Sequence, residues 1–204
     1  MIRLNPFFAY LFRLRFIRRW SLMRNVMPEN VAEHSFHVAL LTHALCTIGS
    51  EVFKKEVPVE RAVTMALFHD ATEVITGDIP SPVKHHNPRI SKGFHEIESL
   101  AAERMSEMIP EALRQSYRPL INHAESDVYR WVKGADLLDG YLKCVSEISA
   151  GNREFAVAKE DLKKRLDGLD MPEVDYFLEH FAPSFHQTLD EISEPMYKTN
   201  MADS

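Results

Sequence analysis

The sequence predicts an all-α protein, a single domain built as a bundle of helices. Apolar residues recur at helical spacing along most of the chain, and capping signals punctuate those stripes. No alternating apolar and polar run is long enough to claim a strand. No internal repeat or low-complexity linker divides the 204 residues, a length that fits one domain with a substantial core.

The helices follow in order. Asn5-Pro6 offers a cap and a favoured first position, and Phe7, Leu11 and Leu14 continue at helical spacing. Asn30 caps the next helix, with Glu33 placed for a capping box; His34, Val38, Leu41, Leu45 and Ile48 form its stripe. Pro58 opens a third, on which Ala62, Ala66, His69 and Glu73 share a face. Thr76 to Pro82 reads as a loop, because Gly77 and two prolines interrupt any helix there. A long polar helix is expected from about Arg89 to Met108, and Pro110 opens a shorter one. Ser126 or Asp127 caps a helix carrying Val128, Trp131, Ala135, Leu138, Leu142 and Val145, which ends at Gly151-Asn152. Further helices are expected over Glu154 to Leu166, Pro172 to Phe181 and Phe185 to Ile192, with a frayed tail after Pro195.

Composition narrows the function classes. Apolar residues at 45% and charged residues at 26% are ordinary for a globular protein. A net charge of -6 argues against general nucleic-acid binding. No apolar run approaches the ~20 residues of a membrane span, and no secretory signal with a small-residue cleavage site is present. Arg3, Arg13, Arg15, Arg18, Arg19 and Arg24 all precede the first acid, Glu29. That stretch is too rich in Phe and Leu and too poor in Ser for a transit peptide, so it reads as a solvated helix face combined with a local anion site. Cys46 and Cys144 sit in amphipathic patterns and are expected to be buried free thiols of a cytoplasmic protein.

The chemistry-bearing residues are scattered along the chain. His69-Asp70 forms an adjacent pair, His34 lies upstream, and Asp136 lies far downstream. Two imidazoles and two carboxylates from separate helices can hold one divalent transition metal and leave room for water, which then becomes a nucleophile near neutral pH. The chain therefore reads as a hydrolase. An inward histidine by itself is usually satisfied within a core, and His37, His43, His95, His123, His180 and His186 are not singled out. The order His34, then His69-Asp70, then Asp136 is much harder to obtain by accident. Asp139, one turn after Asp136, could compete as a ligand.

This order resembles the HD-domain superfamily of metal-dependent phosphohydrolases. The resemblance extends over nearly the whole chain to the bacterial HD-domain 5'-deoxynucleotidases. It is carried by Arg18 to Val26, Glu29 to Ser35, Thr76 to Lys84, Lys133 to Cys144, Asp175-Tyr176-Phe177 and Pro183 to His186. Departures are mild. Ile79 and Ser81 stand where the family pattern has Leu and Thr, and Gly134 weakens the helix beside Asp136.

The resemblance implies a helical bundle of the HD type and a homodimer. It implies one divalent ion (cobalt, manganese or copper, with zinc or iron compatible with the ligands) held by His34, His69, Asp70 and Asp136. The implied substrate is a deoxyribonucleoside 5'-monophosphate, preferred over its ribo counterpart. Arg19 can grip its phosphate with a planar fork. Trp20 can wall off the ribose 2' carbon, and Ile79, Pro80 and Ser81 complete the nucleoside wall. His34 and Asp70 also lie against substrate. Glu73 moves the proton, with Asp78 its rival for that role or for the sugar 3' hydroxyl. Without that frame, Glu73 reads as a solvated helix-end acid and Trp20 as a core aromatic. An HD hydrolase of triphosphates or cyclic nucleotides, or a non-catalytic nucleotide sensor, would carry the same ligands.

Overall fold

The structure is a computed structural model and describes residues 5–84, 86–122 and 126–193. Arg3, His123 and the tail after Pro195 lie outside the described residues. Helix α1 (Phe7–Leu11) runs into a 3-10 helix (Phe12–Phe16). Then come α2 (Val31–Glu51), α3 (Val59–Ala66), α4 (Glu73–Thr76), α5 (Ser81–Lys84), α6 (Pro88–Met108), α7 (Glu111–Ile121) and α8 (Tyr129–Ser149). A 3-10 turn (Arg153–Phe155), α9 (Ala156–Asp167), α10 (Pro172–His180) and a last 3-10 helix (Ala182–His186) complete the order. The protein is all-α: among the described residues the only extended pairing is an isolated bridge between Arg18 and Asn30. No helix among them is long and apolar enough to cross a membrane.

The helix starts follow from local chemistry. Asn30 Oδ1 accepts from the backbone of Ala32 and Glu33 at 3.0 and 3.1 Å, while Glu33 Oε2 accepts from the Asn30 N–H at 3.2 Å. This capping box satisfies donors that the first turn of α2 leaves open. Asn87 caps α6 through Ile90 N, with Pro88 at the first position.

Two cores organise the packing. In the larger, α2 lies against α3, α8 and α10 and buries Val38, Leu45, Ala62, Met65, Val132, Leu138 and Val174. Each fully buried Leu or Val there contributes about 1.5–3 kcal/mol. The smaller core joins Phe7, Ala71, Ala102, Met105, Ile109 and Ile121. Phe7 meets Tyr117 edge-on at 5.5 Å. Cys46 and Cys144 are free and buried, and burial pushes both thiols up to about 12.

Several boundaries differ from the sequence expectation. The helix opened by Pro58 does not reach Glu73; it ends at Ala66, and 67–72 is a set of tight turns. There the backbone shifts to three-residue bonds, such as Ala71 N to Phe68 O at 3.0 Å and Glu73 N to Asp70 O at 3.0 Å. The His69 side chain also donates from Nδ1 to Ala66 O at 2.7 Å, engaging a carbonyl that a continuing helix would use. The expected loop from Thr76 to Pro82 is shorter than its punctuation implied. Gly77, at φ 72°, ends α4, and Pro82 sits in the first turn of α5, where its missing N–H costs nothing. The helix expected over Phe185 to Ile192 is a 3-10 helix ending at His186, followed by a helical turn over 189–193 started by Thr188 and Glu191. Leu14 falls in the 3-10 segment and not in α1. The helix expected over Glu154 to Leu166 begins as the 3-10 turn Arg153–Phe155, capped by Asn152, and continues as α9.

Gly134 reads in the sequence only as a weak spot in a helix. In the fold, a Cβ there would stand 3.0 Å from Met171 Sδ and 3.5 Å from Leu45, so its absence lets α8 pack closely beside Asp136.

Candidate metal centre

The centre forms where the two cores meet. The turns at 67–72 carry the chain from Ala66 in the larger core to Ala71 in the smaller, and hold His69 and Asp70 at the junction. His34 enters from the first turn of α2 and Asp136 from α8, which packs against it. Nε2 of His34 lies 3.2 Å from Asp70 Oδ2 and 3.5 Å from Asp136 Oδ1. Nε2 of His69 lies 3.2 Å from Asp70 Oδ2 and 3.2 Å from His34 Nε2. Donors bound to one ion at ~2.1 Å stand roughly 3.0 Å apart in cis octahedral geometry and about 3.4 Å apart in tetrahedral geometry. Donor atoms of His34, His69 and Asp136 all lie within 4.8 Å of one another, as one small divalent ion requires, and Asp70 stands against both imidazoles.

The proton inventory points the same way. His69 Nδ1 is a donor, because its partner is the Ala66 carbonyl at 2.7 Å. His34 Nδ1 is a donor to Asp139 Oδ2, also at 2.7 Å. Arg19 Nη1 abuts the same His34 nitrogen but already has two carboxylate acceptors, Glu29 and Asp139, each at 3.3 Å. A neutral imidazole with Nδ1 protonated presents an unprotonated Nε2. On His34, burial and Arg19 oppose a charge, yet hydrogen bonds to Asp136, Asp139 and Asp70 raise the imidazole well above its ordinary value. A cation among these acids would take the place of that proton, so the residues present fit a metal ion.

Electrostatics reinforces this. Burial would raise the Asp70 carboxyl, but the His69 and His34 imidazoles hold it well below the usual carboxylate range. Burial also opposes ionisation of Asp136, which Lys133 and His34 outweigh. Lys133 Nζ takes Asp136 Oδ2 at 2.8 Å and leaves Oδ1 toward His34. Asp139 approaches the opposite ring nitrogen of His34, so it does not compete with Asp136 for the place between the Nε2 atoms.

The other sequence candidates surround this cluster unevenly. Arg19 and Trp20 are fixed by main chain as much as by side chain. Arg19 N donates to Glu29 O at 3.0 Å and Val31 N to Ile17 O at 3.0 Å, which ties the segment to the start of α2. Trp20 has φ 56°, a left-handed conformation uncommon for a bulky side chain. Its indole packs against Phe155 at 5.3 Å between centroids and donates to Glu29 Oε2 at 3.3 Å, while its backbone donates to Asp78. Glu73 no longer shares a helix with His69; it starts α4. Its Oε2 is buried without a hydrogen-bond partner. Burial, then Asp70 and Asp78, raise it well above the usual range, which favours its protonated form. Burial also raises Asp78, against Arg19. Ile79 and Pro80 are half-buried and Ser81 is exposed.

Glu29 was missed in the sequence. It is buried at 8% exposure and holds both Arg19 and Trp20. The available signal was its place as the first acid after a run of arginines. The N-terminal arginines divide: Arg19 is nearly enclosed, Arg13 and Arg15 lie over exposed phenylalanines, and exposed Arg24 pairs with Glu154 at 2.6 Å.

Comparison with known proteins decides the family. The model for 5'-deoxynucleotidase YfbR-like proteins matches residues 6–185. The chain belongs to the YfbR-like family. It is 50% identical over 192 residues to the 5'-deoxynucleotidase YfbR of Shigella boydii serotype 18, covering 93% of this chain and 96% of that one. The same values relate it to the 5'-deoxynucleotidase YfbR of Escherichia coli K12. Among solved structures, an HD-domain phosphohydrolase of Listeria innocua has a TM-score of 0.76 at 24% identity, with 97% of each chain covered. The HD phosphohydrolase DatZ of cyanophage S-2L, bound to dA and one catalytic zinc ion, has a TM-score of 0.57 at 22% identity, covering 86% of this chain and 96% of that one. These two likenesses establish the HD fold for this YfbR-like chain.

Proposed function

We propose that this YfbR-like protein is a metal-dependent phosphatase that hydrolyses deoxyribonucleoside 5'-monophosphates to deoxynucleoside and phosphate, preferring deoxyribo- over ribonucleotides. The observation that carries the reading is the convergence of His34 and His69, their Nε2 atoms 3.2 Å apart, with Asp70 and Asp136 beside them, in a relative of named 5'-deoxynucleotidases. Those four residues would hold the ion, for which cobalt, manganese or copper is proposed and zinc or iron also suits the donors. Such an ion supplies Lewis-acid activation of water and neutralises charge at phosphorus.

The chain's own residues do the rest. Arg19, anchored at Nη1 by two carboxylates, would turn the remainder of its fork to phosphoryl oxygens and orient phosphorus for in-line attack. The indole of Trp20, held by Glu29 and Phe155, would stand against the ribose 2' carbon and leave a hydroxyl neither space nor partner. Glu73, raised toward its acid form and with a buried oxygen to spare, would hand a proton to the departing 5' oxygen. Asp78, held by the Trp20 backbone, is assigned to the sugar 3' hydroxyl, and Ile79, Pro80 and Ser81 to the nucleoside wall. No covalent phospho-enzyme is invoked.

The protein is further proposed to work in the cytoplasm as a homodimer meeting through α6, whose Ile97 and Leu100 are exposed. The deciding experiment is a phosphate-release screen across ribo- and deoxynucleotides with added cobalt, manganese, copper or zinc. The expected result is fast release from dAMP or dTMP and slow release from AMP. Release of triphosphate, of a linear nucleotide from a cyclic one, or of nothing at all would replace the reading.

A further inference from the structure

We propose that Glu29 and Asp139 form a carboxylate bracket that holds Arg19 between the phosphate-binding and metal-binding halves of the site, each acid positioning its own half and touching neither substrate nor ion. The inference rests on the function proposed above. Both carboxylates are buried, at 8% and 5% exposure, and both accept from the same atom, Arg19 Nη1, at 3.3 Å. Beyond that shared guanidinium they diverge. Glu29 Oε2 takes the Trp20 indole N–H at 3.3 Å, and Asp139 Oδ2 takes His34 Nδ1 at 2.7 Å. The chain of contacts runs Trp20, Glu29, Arg19, Asp139, His34, from the assigned sugar wall to an assigned metal ligand.

Two features argue against an incidental core ion pair. First, Glu29 holds Arg19 twice: its carbonyl anchors the Arg19 main chain at 3.0 Å beside the start of α2, and its carboxylate takes the guanidinium at 3.3 Å. Second, α8 presents Asp136 to one nitrogen of His34 and Asp139, one turn later, to the other. The ring is clamped between two acids of one helix, and the Asp139 contact fixes its orientation toward Asp136. Buried carboxylates with this many donors are costly to hold unless every partner is in place. Loss of either acid should therefore misalign its own half of the site.

The two halves can be tested separately on the full chain, stripped of metal and titrated with Co²⁺ by calorimetry and visible absorption. Asp139→Asn is expected to weaken Co²⁺ binding about 10- to 100-fold, the range found when a ligand's outer partner is lost, and to alter the Co²⁺ spectrum. Glu29→Gln is expected to keep Co²⁺ affinity within about 3-fold while weakening inhibition by inorganic phosphate about 10-fold, with KM rising more than kcat falls, as for a lost binding contact. Wild-type Co²⁺ affinity and spectrum in Asp139→Asn, or unchanged phosphate inhibition in Glu29→Gln, would overturn the bracket. Should Asp139→Asn fail to fold, Asp139→Glu keeps the charge but displaces it. It is expected to lose Co²⁺ affinity in the same direction, and wild-type affinity there also overturns the proposal. If the unmutated protein takes up no Co²⁺, the parent reading falls and the bracket with it.

Discussion

Nε2 of His34 stands 3.2 Å from Nε2 of His69, and each ring spends its proton on the other side, at Asp139 and at the Ala66 carbonyl. Removing the ion from such a site leaves clustered carboxylates whose charge only protons on the imidazoles can offset. Chelation is therefore expected to abolish phosphate release and lower the melting temperature, with both restored by Co²⁺ or Mn²⁺ through preferential binding to the folded state. His69→Ala or Asp70→Ala should lose stoichiometric metal, measured by elemental analysis after gel filtration. Either variant retaining one ion per chain refutes the ligand assignment.

Glu73, like Glu173, has a buried carboxylate oxygen without a hydrogen-bond partner, and it is the one beside Asp70. Glu73→Gln keeps its shape and removes its proton chemistry. Metal content and nucleotide binding are expected to persist while kcat drops by about 10²- to 10⁴-fold, the usual weight of a general acid or base. Near-normal turnover would move the role to Asp78.

Trp20 is held in a left-handed backbone conformation with its indole clasped by Glu29 and Phe155. If that indole excludes the 2' hydroxyl, Trp20→Ala should cut the ratio of kcat/KM for dAMP over AMP by about 10-fold or more. An unchanged ratio would return Trp20 to a packing role.

Glu147 ties the chain leading into the site to α8. Its buried carboxylate accepts from the Val26 and Met27 backbones at 2.9 and 3.0 Å, from Asn152 at 2.8 Å and from Lys143 at 2.5 Å. Burial alone would raise it, yet these donors hold it at about 2, against an ordinary 4.5. A depressed carboxyl contributes stability that is complete above its unfolded value and fades as pH falls toward the folded one. Melting curves should therefore drop steeply between about pH 4.5 and 2. Glu147→Gln should flatten that drop and cost on the order of 3 kcal/mol near neutral pH, because Lys143 loses its partner. Parallel curves for the two proteins would remove Glu147 as the source.

Gly49 faces Trp131, and a Cβ there would come within 2.8 Å of the indole and 3.3 Å of Val57. Gly49→Ala is expected to destabilise by about 1–3 kcal/mol in denaturant unfolding, since a ring wedged between helices cannot yield as a flexible side chain would. A variant as stable as the parent would show that α2 and α8 can move apart freely.

Much of this protein was written locally. The Asn30–Glu33 box, the buried stripe of α2 and the all-α class follow from spacing and short-range hydrogen bonding, which operate within a turn or two of chain. The order of His34, His69-Asp70 and Asp136 could likewise be read in one dimension, together with the family it resembles. Other features had no local signal. Helical periodicity continued through His69 to Glu73, and only the meeting of two cores at Ala66 and Ala71, with the His69 ring taking a backbone carbonyl, broke the helix there. Asp139 looked like a rival ligand until the packing of α8 on α2 turned it to the far edge of His34. Glu29 carried almost no signal, because its partners Arg19 and Trp20 come to it through backbone pairing, and Asp139 joins it on Arg19 only through helix packing. Tertiary structure decided which nitrogen faces which acid, since that depends on distances between segments remote in the chain, and no short-range spacing encodes them.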